Sequence, residues 1–398
     1  MNTVLPDKVG FSSSRLDRIR TAMQSYVDHG RLPGAVTMIA RRGQVVHAEC
    51  FGMRDIEARK PMRLDTLFPI FSMTKPILAV AMMILYEEGR YQLFDALSKF
   101  IPEFKDVQVV LKTTEEAGIE LTELERAITI YDLLTQTSGL VSESWLSPPL
   151  AKLVAEIGLY RPEIPLQEFT QRLVKLPLIH QPGKAWRYGE SPEVLGYLIE
   201  LLSGISFDTY LKQRIFEPLG MVDTGFGIPD DQRDRLARLY GFSETGGFAE
   251  KVEFAPRLIP SSIPRGGFGL VSTAPDYARF AQMLLNKGEL DGERILGRMT
   301  VEYMTRNHLP KELIPIQPFP DWFLNGYGYG FLFGVLVDVV RAGLLGSEGE
   351  FYWGGLSTIF WIDPKEELFA LLMTRFEWPN HVPIYYAFRL LTYQAIVD

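Results

Sequence analysis

Segments that favour β-strands lie at both ends of this chain, and mainly helical segments lie between them. The strand-like segments are residues 35–40, 44–50, 328–337, 357–362 and 368–373. The first two flank Arg41-Arg42-Gly43, a spacing that predicts a β-hairpin. The last three are rich in aromatic and aliphatic residues, which favour strands. We therefore expect an α/β domain whose sheet is formed from both termini, with a helical domain inserted between its two halves.

Helical periodicity fills the middle of the chain. Before the hairpin, Leu16, Ile19, Met23 and Val27 recur at helical spacing after three serines that can cap a helix. Further helices are predicted over residues 77–86, 121–134, 150–159, 166–173, 193–202, 207–215, 275–285 and 382–397. Residues 309–323 contain four prolines and predict a surface loop that borders a pocket.

These patterns predict two domains. We expect the sheet domain to comprise residues 1–75 and 290–398, and the mainly helical domain to comprise residues 76–289. An active site is then expected in the cleft between them.

Composition excludes several classes of partner and site. The 398 residues include 41 Lys and Arg against 49 Asp and Glu, a net charge of −8 that repels phosphate backbones and argues against nucleic acid. The longest apolar stretch, residues 76–86, is far shorter than the ~20 residues of a membrane-spanning helix. Cys50 is the only cysteine, and the five histidines form no HExxH or H-x-H pair. We therefore expect no disulfide, no metal and no membrane. The N-terminus resembles no secretory signal, which predicts a cytoplasmic protein.

One short motif indicates nucleophilic chemistry. A Ser-x-x-Lys tetrad occurs once, from Ser72 to Lys75, although chance alone supplies about that many. Pro76 is tolerated only in the first turn of a helix, so the helix is expected to begin near Ser72. Residues three apart share a helix face, which makes the Lys75 amine and the Ser72 hydroxyl neighbours. The surrounding helix is apolar, and a lysine withdrawn from water gives up its proton more easily.

The tetrad is part of a larger resemblance. The segment Phe71-Ser72-Met73-Thr74-Lys75-Pro76 resembles the nucleophile motif of the serine β-lactamase-like superfamily, above all class C β-lactamases and family VIII carboxylesterases. Residues 133–140 resemble the superfamily segment LLTHTSGL, with Gln136 in place of His. Further matches, in chain order, are residues 186–189 with 194–196, residues 266–273, and Trp353-Gly354-Gly355. The resemblance implies a β-lactamase/transpeptidase-like fold, an antiparallel sheet flanked by helices with an inserted helical domain.

The resemblance also implies roles for individual residues. Ser72 matches the nucleophile that accepts the acyl group, and Tyr188 matches the tyrosine that acts with Lys75 as general base. Which of the two takes the proton stays open, because coupled groups titrate as a unit. The oxyanion hole is expected from the backbone N–H groups of Ser72 and Leu356. Glycines at 354 and 355 are expected to let an edge strand approach the substrate. No cofactor is implied.

Two departures from the superfamily pattern bear on the substrate. Trp353 stands where β-lactamases carry Lys or His to bind the substrate carboxylate, and a neutral indole offers only an apolar wall and one N–H. Glu190 stands where those enzymes carry an Asn that binds the acyl amide. Both changes favour esters, although Arg265 is expected to restore a cation from a neighbouring loop and allow weak β-lactam hydrolysis. Aromatic residues expected near the site mouth are Trp145, Phe268, Trp322, Phe323, Tyr327, Tyr329 and Tyr352.

The sequence therefore predicts a serine hydrolase that cleaves short- to medium-chain carboxylic esters through an acyl-enzyme on Ser72. Its expected partner is a small-molecule ester, with Trp353, Gly354, Gly355 and Glu190 lining the substrate site. Three alternatives stay open: an acyltransferase of the same fold, a β-lactamase or D-Ala-D-Ala peptidase, and a non-catalytic penicillin-binding-like protein. The sequence does not determine the oligomeric state, so a homo-oligomer is compatible with it.

Overall fold

The computed structural model describes residues 3–114, 118–161, 163–243, 247–251, 261, 263–320, 322–377 and 383–398. Its strands are β1 (Gly34–Arg41), β2 (Gln44–Asp55), β3 (Lys60–Pro61), β4 (Phe68–Pro69), β5 (Val109–Thr114), β6 (Gly118–Thr122), β7 (Gly225–Phe226), β8 (Tyr240–Phe242), β9 (Phe248–Glu250), β10 (Leu270–Ser272), β11 (Glu289–Leu290), β12 (Glu293–Arg294), β13 (Ile316–Phe319), β14 (Trp322–Leu324), β15 (Tyr327–Tyr329), β16 (Gly334–Leu336), β17 (Phe351–Gly354), β18 (Thr358–Asp363) and β19 (Leu368–Thr374). Its α-helices are α1 (Ser13–Leu16), α2 (Arg18–Asp28), α3 (Thr74–Glu87), α4 (Ile130–Leu134), α5 (Pro148–Glu156), α6 (Leu166–Leu173), α7 (Ser191–Ser203), α8 (Phe207–Leu211), α9 (Ala274–Leu285), α10 (Arg298–Met304), α11 (Val339–Ala342) and α12 (Ile384–Tyr393).

An antiparallel sheet to which both ends of the chain contribute is the centre of the fold. Within the described ranges it has eight strands, in the order β15-β16-β17-β18-β19-β1-β2-β3. Its middle pairs N-terminal β1 with C-terminal β19, from Ala35 opposite Thr374 to Arg41 opposite Leu368. Every residue of β1 is buried. The predicted antiparallel sheet is therefore confirmed.

The β1–β2 hairpin follows the predicted turn. Arg42 and Gly43 connect the strands with φ values of 52° and 72°, the left-handed conformation that two-residue hairpin turns require. Glycine adopts it without strain, because it lacks a Cβ. The structure extends both strands beyond the predicted bounds.

Helices cover both faces of the sheet. The ring of Phe360 in β18 lies 5.0 Å from that of Tyr277 in α9, and the adjacent Trp361 lies 5.4 Å from Phe388 in α12. Successive residues of a strand point to opposite faces, so α9 and α12 lie on opposite sides of the sheet. Helix α9 was expected in the helical domain, but it packs against the sheet. The domain boundaries at residues 75 and 289 stay a prediction.

Helix α3 is buried around its whole circumference. Every residue from Thr74 to Leu85 is buried, and the helix ends where Gly89 adopts a φ of 69°. An apolar helix without a polar face is typical of a core position. The helix predicted over residues 77–86 is confirmed, and it begins three residues earlier.

Several elements differ from the predictions. Within residues 121–134 only Ile130–Leu134 is helical, because Thr129 and Asp132 form a capping box that starts the helix there, while β6 occupies the beginning of that segment. Residues 328–337 form parts of two strands rather than one, because the chain reverses between β15 and β16 through Leu332, whose φ is 62°. Residues 309–323 are not only loop, since they contain β13 and the start of β14, which pair as a hairpin.

The C-terminal helix is shorter than predicted. It begins at Ile384 and ends at Tyr393, whereas Val382, its predicted first residue, lies outside the described residues, as does His381. No single described helix is long and apolar enough to cross a membrane. Helix α7 and the segment Phe207–Phe216 pass that test of length and composition as a pair, but they meet at a 78° bend.

A buried ion pair fixes α12 to the sheet. Arg389 donates two hydrogen bonds to Glu350, of 2.8 and 2.7 Å, and both side chains are at most 1% exposed. The Tyr393 hydroxyl contacts both Glu350 and Asp363, at 2.6 and 2.9 Å. Such a network is stable only when each charge keeps its partners.

We predict that Glu350→Gln lowers the free energy of unfolding by about 3–5 kcal/mol, because it leaves the Arg389 charge buried without its partner. Urea denaturation followed by circular dichroism measures this loss. The matched control is Glu49→Gln, which removes the exposed ion pair with Arg20 and is expected to cost less than about 1 kcal/mol. Equal losses in the two variants would contradict the prediction.

Candidate active site

Ser72 lies in a strained turn at the start of the buried helix. A 3-10 turn, Phe71–Met73, leads directly into α3, and Phe71 has a φ of 45°, which is costly for a residue with a bulky side chain. The turn is held in place because the Ile70 N–H donates to the Leu270 carbonyl of β10 at 2.9 Å. The tetrad thus begins at the N-terminal end of the helix, as predicted.

Lys75 lies beside Ser72 and is withdrawn from solvent. Its side chain belongs to a residue that is 5% exposed, and its Nζ donates to the Ser72 Oγ at 3.2 Å and to the Gly267 carbonyl at 2.7 Å. The helical spacing of the tetrad brings the two side chains together, as the sequence indicated.

Tyr188 completes the group around the serine. Its hydroxyl donates to the Ser72 Oγ at 2.6 Å, and its ring centroid lies 4.5 Å from the Lys75 Nζ. The Trp353 Nε1 donates in turn to the Tyr188 hydroxyl at 3.3 Å. Residues from three distant parts of the chain therefore meet here, with Lys75 and Tyr188 on the Ser72 oxygen and Trp353 on the Tyr188 oxygen.

The segment of residues 133–140 fixes the backbone around Tyr188. Gln136, which replaces the superfamily His, accepts a hydrogen bond from the Gly189 N–H at 3.2 Å through its Oε1. Its carbonyl accepts the Arg187 N–H at 3.0 Å. The Ser138 and Ser191 hydroxyls are 2.8 Å apart and join this segment to the start of α7. The substitution of Gln for His therefore keeps a side-chain acceptor at this position.

Sequence reasoning missed Glu193. This carboxylate in the first turn of α7 is 2% exposed and accepts the N–H groups of Gly266 and Gly267 at 3.0 and 2.9 Å. Burial raises the pKa of Glu193, which the nearby Arg265 and the two N–H donors oppose. Glu193 thereby holds the loop whose Gly267 carbonyl binds Lys75. Its only sequence signal is an acid at a helix start, which the helix dipole also favours.

Glu190 carries a partly buried carboxyl group that interacts with Glu193 and Lys75. Its Oε1 accepts a hydrogen bond from the Tyr160 hydroxyl at 3.0 Å. Burial, and next the negative charge of Glu193, raise the pKa of Glu190 to about 7, while Lys75 and the Tyr160 hydrogen bond oppose the shift. Near neutral pH the carboxyl therefore exchanges between its charged and neutral forms.

The glycines after Trp353 bring β17 against the serine turn. A Cβ on Gly355 would lie 2.6 Å from the Ile70 carbonyl oxygen, whereas one on Gly354 would meet nothing closer than 3.4 Å. The N–H groups of Ser72 and Leu356 donate to no backbone carbonyl in the described part of the chain. These two N–H groups are therefore available as hydrogen-bond donors where β17 meets the serine turn.

The prediction that Trp353 lies on an edge strand is wrong. Strand β17 lies between β16 and β18. However, its pairing with β16 extends only to Tyr352, so the outer side of Trp353 and Gly354 is free of a neighbouring strand. The short length of β16 leaves this end of the strand open.

Aromatic residues pack around Tyr188 and Trp353, although not all of the predicted ones line the mouth of the site. Tyr327, Tyr329 and Tyr352 are buried, and their rings pack against one another or against Trp353. Phe319 was not among the aromatic residues predicted near the site mouth. It is 41% exposed, and its ring lies 6.3 Å from that of Tyr188. The β13–β14 hairpin therefore brings an exposed aromatic side chain to the site, which the proline-rich sequence did not reveal.

Arg265 is buried and contacts α6 and the loop before it. It is 7% exposed, its guanidinium lies 5.4 Å from the Phe169 ring centroid, and it donates to the Arg161 carbonyl at 3.3 Å. The expected replacement cation is thus engaged with α6 and with the loop before it. In the described residues no group of three or more His, Cys, Asp or Glu side chains is arranged to hold a metal ion.

Comparison with known proteins agrees with this geometry. A family model described as Beta-lactamase matches residues 19–391. The chain is 34% identical over 365 residues to Protein Rv1367c of Mycobacterium tuberculosis, covering 90% of this chain and 89% of that protein. It is 29% identical over 391 residues to Esterase EstB of Burkholderia gladioli, covering 92% of this chain and 93% of the esterase.

Solved structures show the same fold. The structure of EstCE1, described as a hydrolase with promiscuous acyltransferase activity, superimposes with a TM-score of 0.79 at 25% identity and covers 96% of this chain and 99% of that one. The resemblance inferred from the motifs is therefore confirmed. The chain belongs to the beta-lactamase family, in the part of the serine β-lactamase-like superfamily near the family VIII esterases.

Proposed function

We propose that this protein is a serine esterase that hydrolyses short- to medium-chain carboxylic esters through an acyl-enzyme on Ser72. Its family and relatives support the coarser assignment to the serine hydrolases and acyltransferases of this fold. The observation that carries the proposal is the Ser72 Oγ, which lies 2.6 Å from the Tyr188 hydroxyl and 3.2 Å from the Lys75 Nζ. A serine hydroxyl attacks a carbonyl only when a neighbouring base takes its proton.

The proposed acylation uses these groups in sequence. In the form of the Tyr188–Lys75 pair that has already lost one proton, the pair accepts the Ser72 proton while the Oγ attacks the ester carbonyl carbon. The N–H groups of Ser72 and Leu356 stabilise the oxyanion, and the pair returns the proton to the departing alcohol. Deacylation repeats the steps with water as the nucleophile. Preorganised donors of this kind stabilise charge without reorganisation during the reaction.

Charge around the site favours neutral esters over β-lactams. The Trp353 indole supplies no cation for a substrate carboxylate, and Arg265 is engaged with Phe169 and Arg161. Glu190 adds negative charge when it is ionised, which repels a carboxylate. These features favour substrates whose acyl group, bound on the Trp353 side of the site, carries no charge.

An acyltransferase is the second candidate. EstCE1, whose description combines hydrolase and acyltransferase activities, covers nearly the whole chain. An acyl-enzyme on Ser72 serves both reactions, because water and an alcohol attack the same carbonyl. The two functions differ in the acceptor alone.

We predict that Ser72→Ala reduces kcat for p-nitrophenyl butyrate by about 1000-fold or more, because the residual rate then comes from binding and the oxyanion donors. The release of p-nitrophenol measures it. The control is Ser206→Ala, which removes an exposed hydroxyl and is expected to keep the rate.

Nitrocefin and a chain-length series complete this test. We expect slower turnover of nitrocefin than of the butyrate, and a rate that declines for long acyl chains. Ester turnover that survives in Ser72→Ala would overturn the proposed nucleophile. Absence of turnover, together with absence of labelling by an organophosphonate, would favour a non-catalytic protein. A higher rate with nitrocefin would favour a β-lactamase or peptidase.

We predict that Gly355→Ala lowers kcat by about 100-fold, the usual effect of losing one oxyanion donor, because its new methyl group displaces the loop from Ile70. The same assay measures it. Gly225→Ala is the control, since its Cβ would meet no atom within 4 Å, and its kcat is expected to change little. Similar losses in both variants would argue against the assignment of Leu356 to the oxyanion hole.

We predict that water remains the main acceptor when n-butanol or a small thiol competes with it. The reason is that water is present at a far higher concentration than either competing acceptor. Chromatography of the products separates butyric acid from the transfer ester or thioester. A dominant transfer product at a modest acceptor concentration would make the acyltransferase the better assignment.

A further inference from the structure

The Tyr188 hydroxyl makes two hydrogen bonds of different kinds. Its single proton points to the Ser72 Oγ at 2.6 Å, so its oxygen is the acceptor for the Trp353 Nε1 at 3.3 Å. An indole N–H can only donate. The bond from Trp353 therefore does not depend on where the Tyr188 proton goes, and it strengthens when the oxygen becomes negative, since charge-assisted hydrogen bonds are the stronger ones.

The direction of the Trp353 N–H is fixed by packing. The residue is 5% exposed, and its backbone pairs with Phe360 of β18. Its ring lies 5.3 Å from the Tyr329 ring and 5.9 Å from the Tyr352 ring. A donor held this way needs no reorganisation to stabilise a negative charge on its partner.

The chain contains a matched aromatic residue that lacks this bond. Trp186 also packs against Tyr188, with ring centroids 6.2 Å apart, and is 2% exposed. Its Nε1, however, has no hydrogen-bond partner in the part of the chain that the structure describes. Packing against the phenol and donation to its oxygen can therefore be separated experimentally.

We propose that Trp353 is a positioning residue whose indole N–H stabilises the deprotonated Tyr188, the form that accepts the proton of Ser72. This inference rests on the proposed esterase function and goes beyond the sequence-based role of Trp353 as a wall of the substrate site. A neutral donor supports the tyrosine without introducing a cation. The site thereby keeps an active base and lacks an ion-pair partner for substrate carboxylates, which fits uncharged esters.

The test compares Trp353→Phe with Trp186→Phe by measuring kcat and KM for p-nitrophenyl butyrate across the pH range. Loss of a hydrogen bond to a charged oxygen predicts a kcat about 10- to 100-fold lower in Trp353→Phe at pH values on the acidic limb, with a smaller change in KM. The acidic limb of its kcat profile should move to higher pH, because a less stabilised base is protonated more readily. Trp186→Phe is expected to leave the position of that limb unchanged.

An isosteric replacement controls for packing. Incorporation of 3-benzothienylalanine at position 353 exchanges the N–H for a sulfur of similar size and should reproduce the shift of the acidic limb. An unshifted limb in both the Phe and the benzothienyl variants, or an equal shift in Trp186→Phe, would overturn the inference. A change in KM alone would restore Trp353 to the role of substrate wall.

Failure of the esterase proposal is separable from failure of this inference. If the wild type hydrolyses no ester, the rate at which a p-nitrophenyl alkylphosphonate labels Ser72 gives the same pH profile. That rate also depends on removal of the serine proton. An unshifted labelling profile in the position-353 variants then overturns the role of Trp353, whichever substrate the protein uses.

Discussion

The buried amine of Lys75 imposes the constraint on which the rest of the site depends. Removing such a polar group from water costs free energy unless polar groups of the protein replace the water. Here the Gly267 carbonyl, the Ser72 hydroxyl and the face of the Tyr188 ring surround the Nζ. The Gly267 carbonyl is held in turn by Glu193, which binds the two N–H groups of that loop. One buried amine therefore ties Ser72, Tyr188 and a distant loop into a single arrangement.

The sheet supplies the opposite wall of this arrangement. Strand β17 approaches the serine turn so closely that only glycine fits at position 355, and its Trp353 contacts the Tyr188 hydroxyl. The sheet itself is stabilised by the pairing of β1 with β19, and α12 is fixed to it through Arg389 and Glu350. The position of the proposed oxyanion donors thus depends on contacts between the two ends of the chain.

Much of the fold could be predicted from the sequence, because it is encoded by local patterns. The Arg42-Gly43 turn, the apolar helix that begins beside Ser72 and the helix over residues 166–173 follow from turn chemistry and periodicity. The β13–β14 hairpin was missed because its prolines favour loops, and they are tolerated here in a two-stranded ribbon with unpaired outer edges. The predicted helix over residues 121–134 was too long, because apolar spacing alone does not distinguish the end of a hairpin from the first turn of a helix.

The sequence by itself determined the motif residues, the neighbourhood of Ser72 and Lys75, and the family, because short-range spacing and ordered motifs carry that information. Only the tertiary structure decided that Glu193 holds the Gly266–Gly267 loop, that Arg265 is engaged with Phe169 and Arg161, and that Trp353 donates to Tyr188. Each of these contacts joins residues that are far apart in the chain. The direction of a buried side chain is set by the packing of several elements at once, and the local sequence does not contain it.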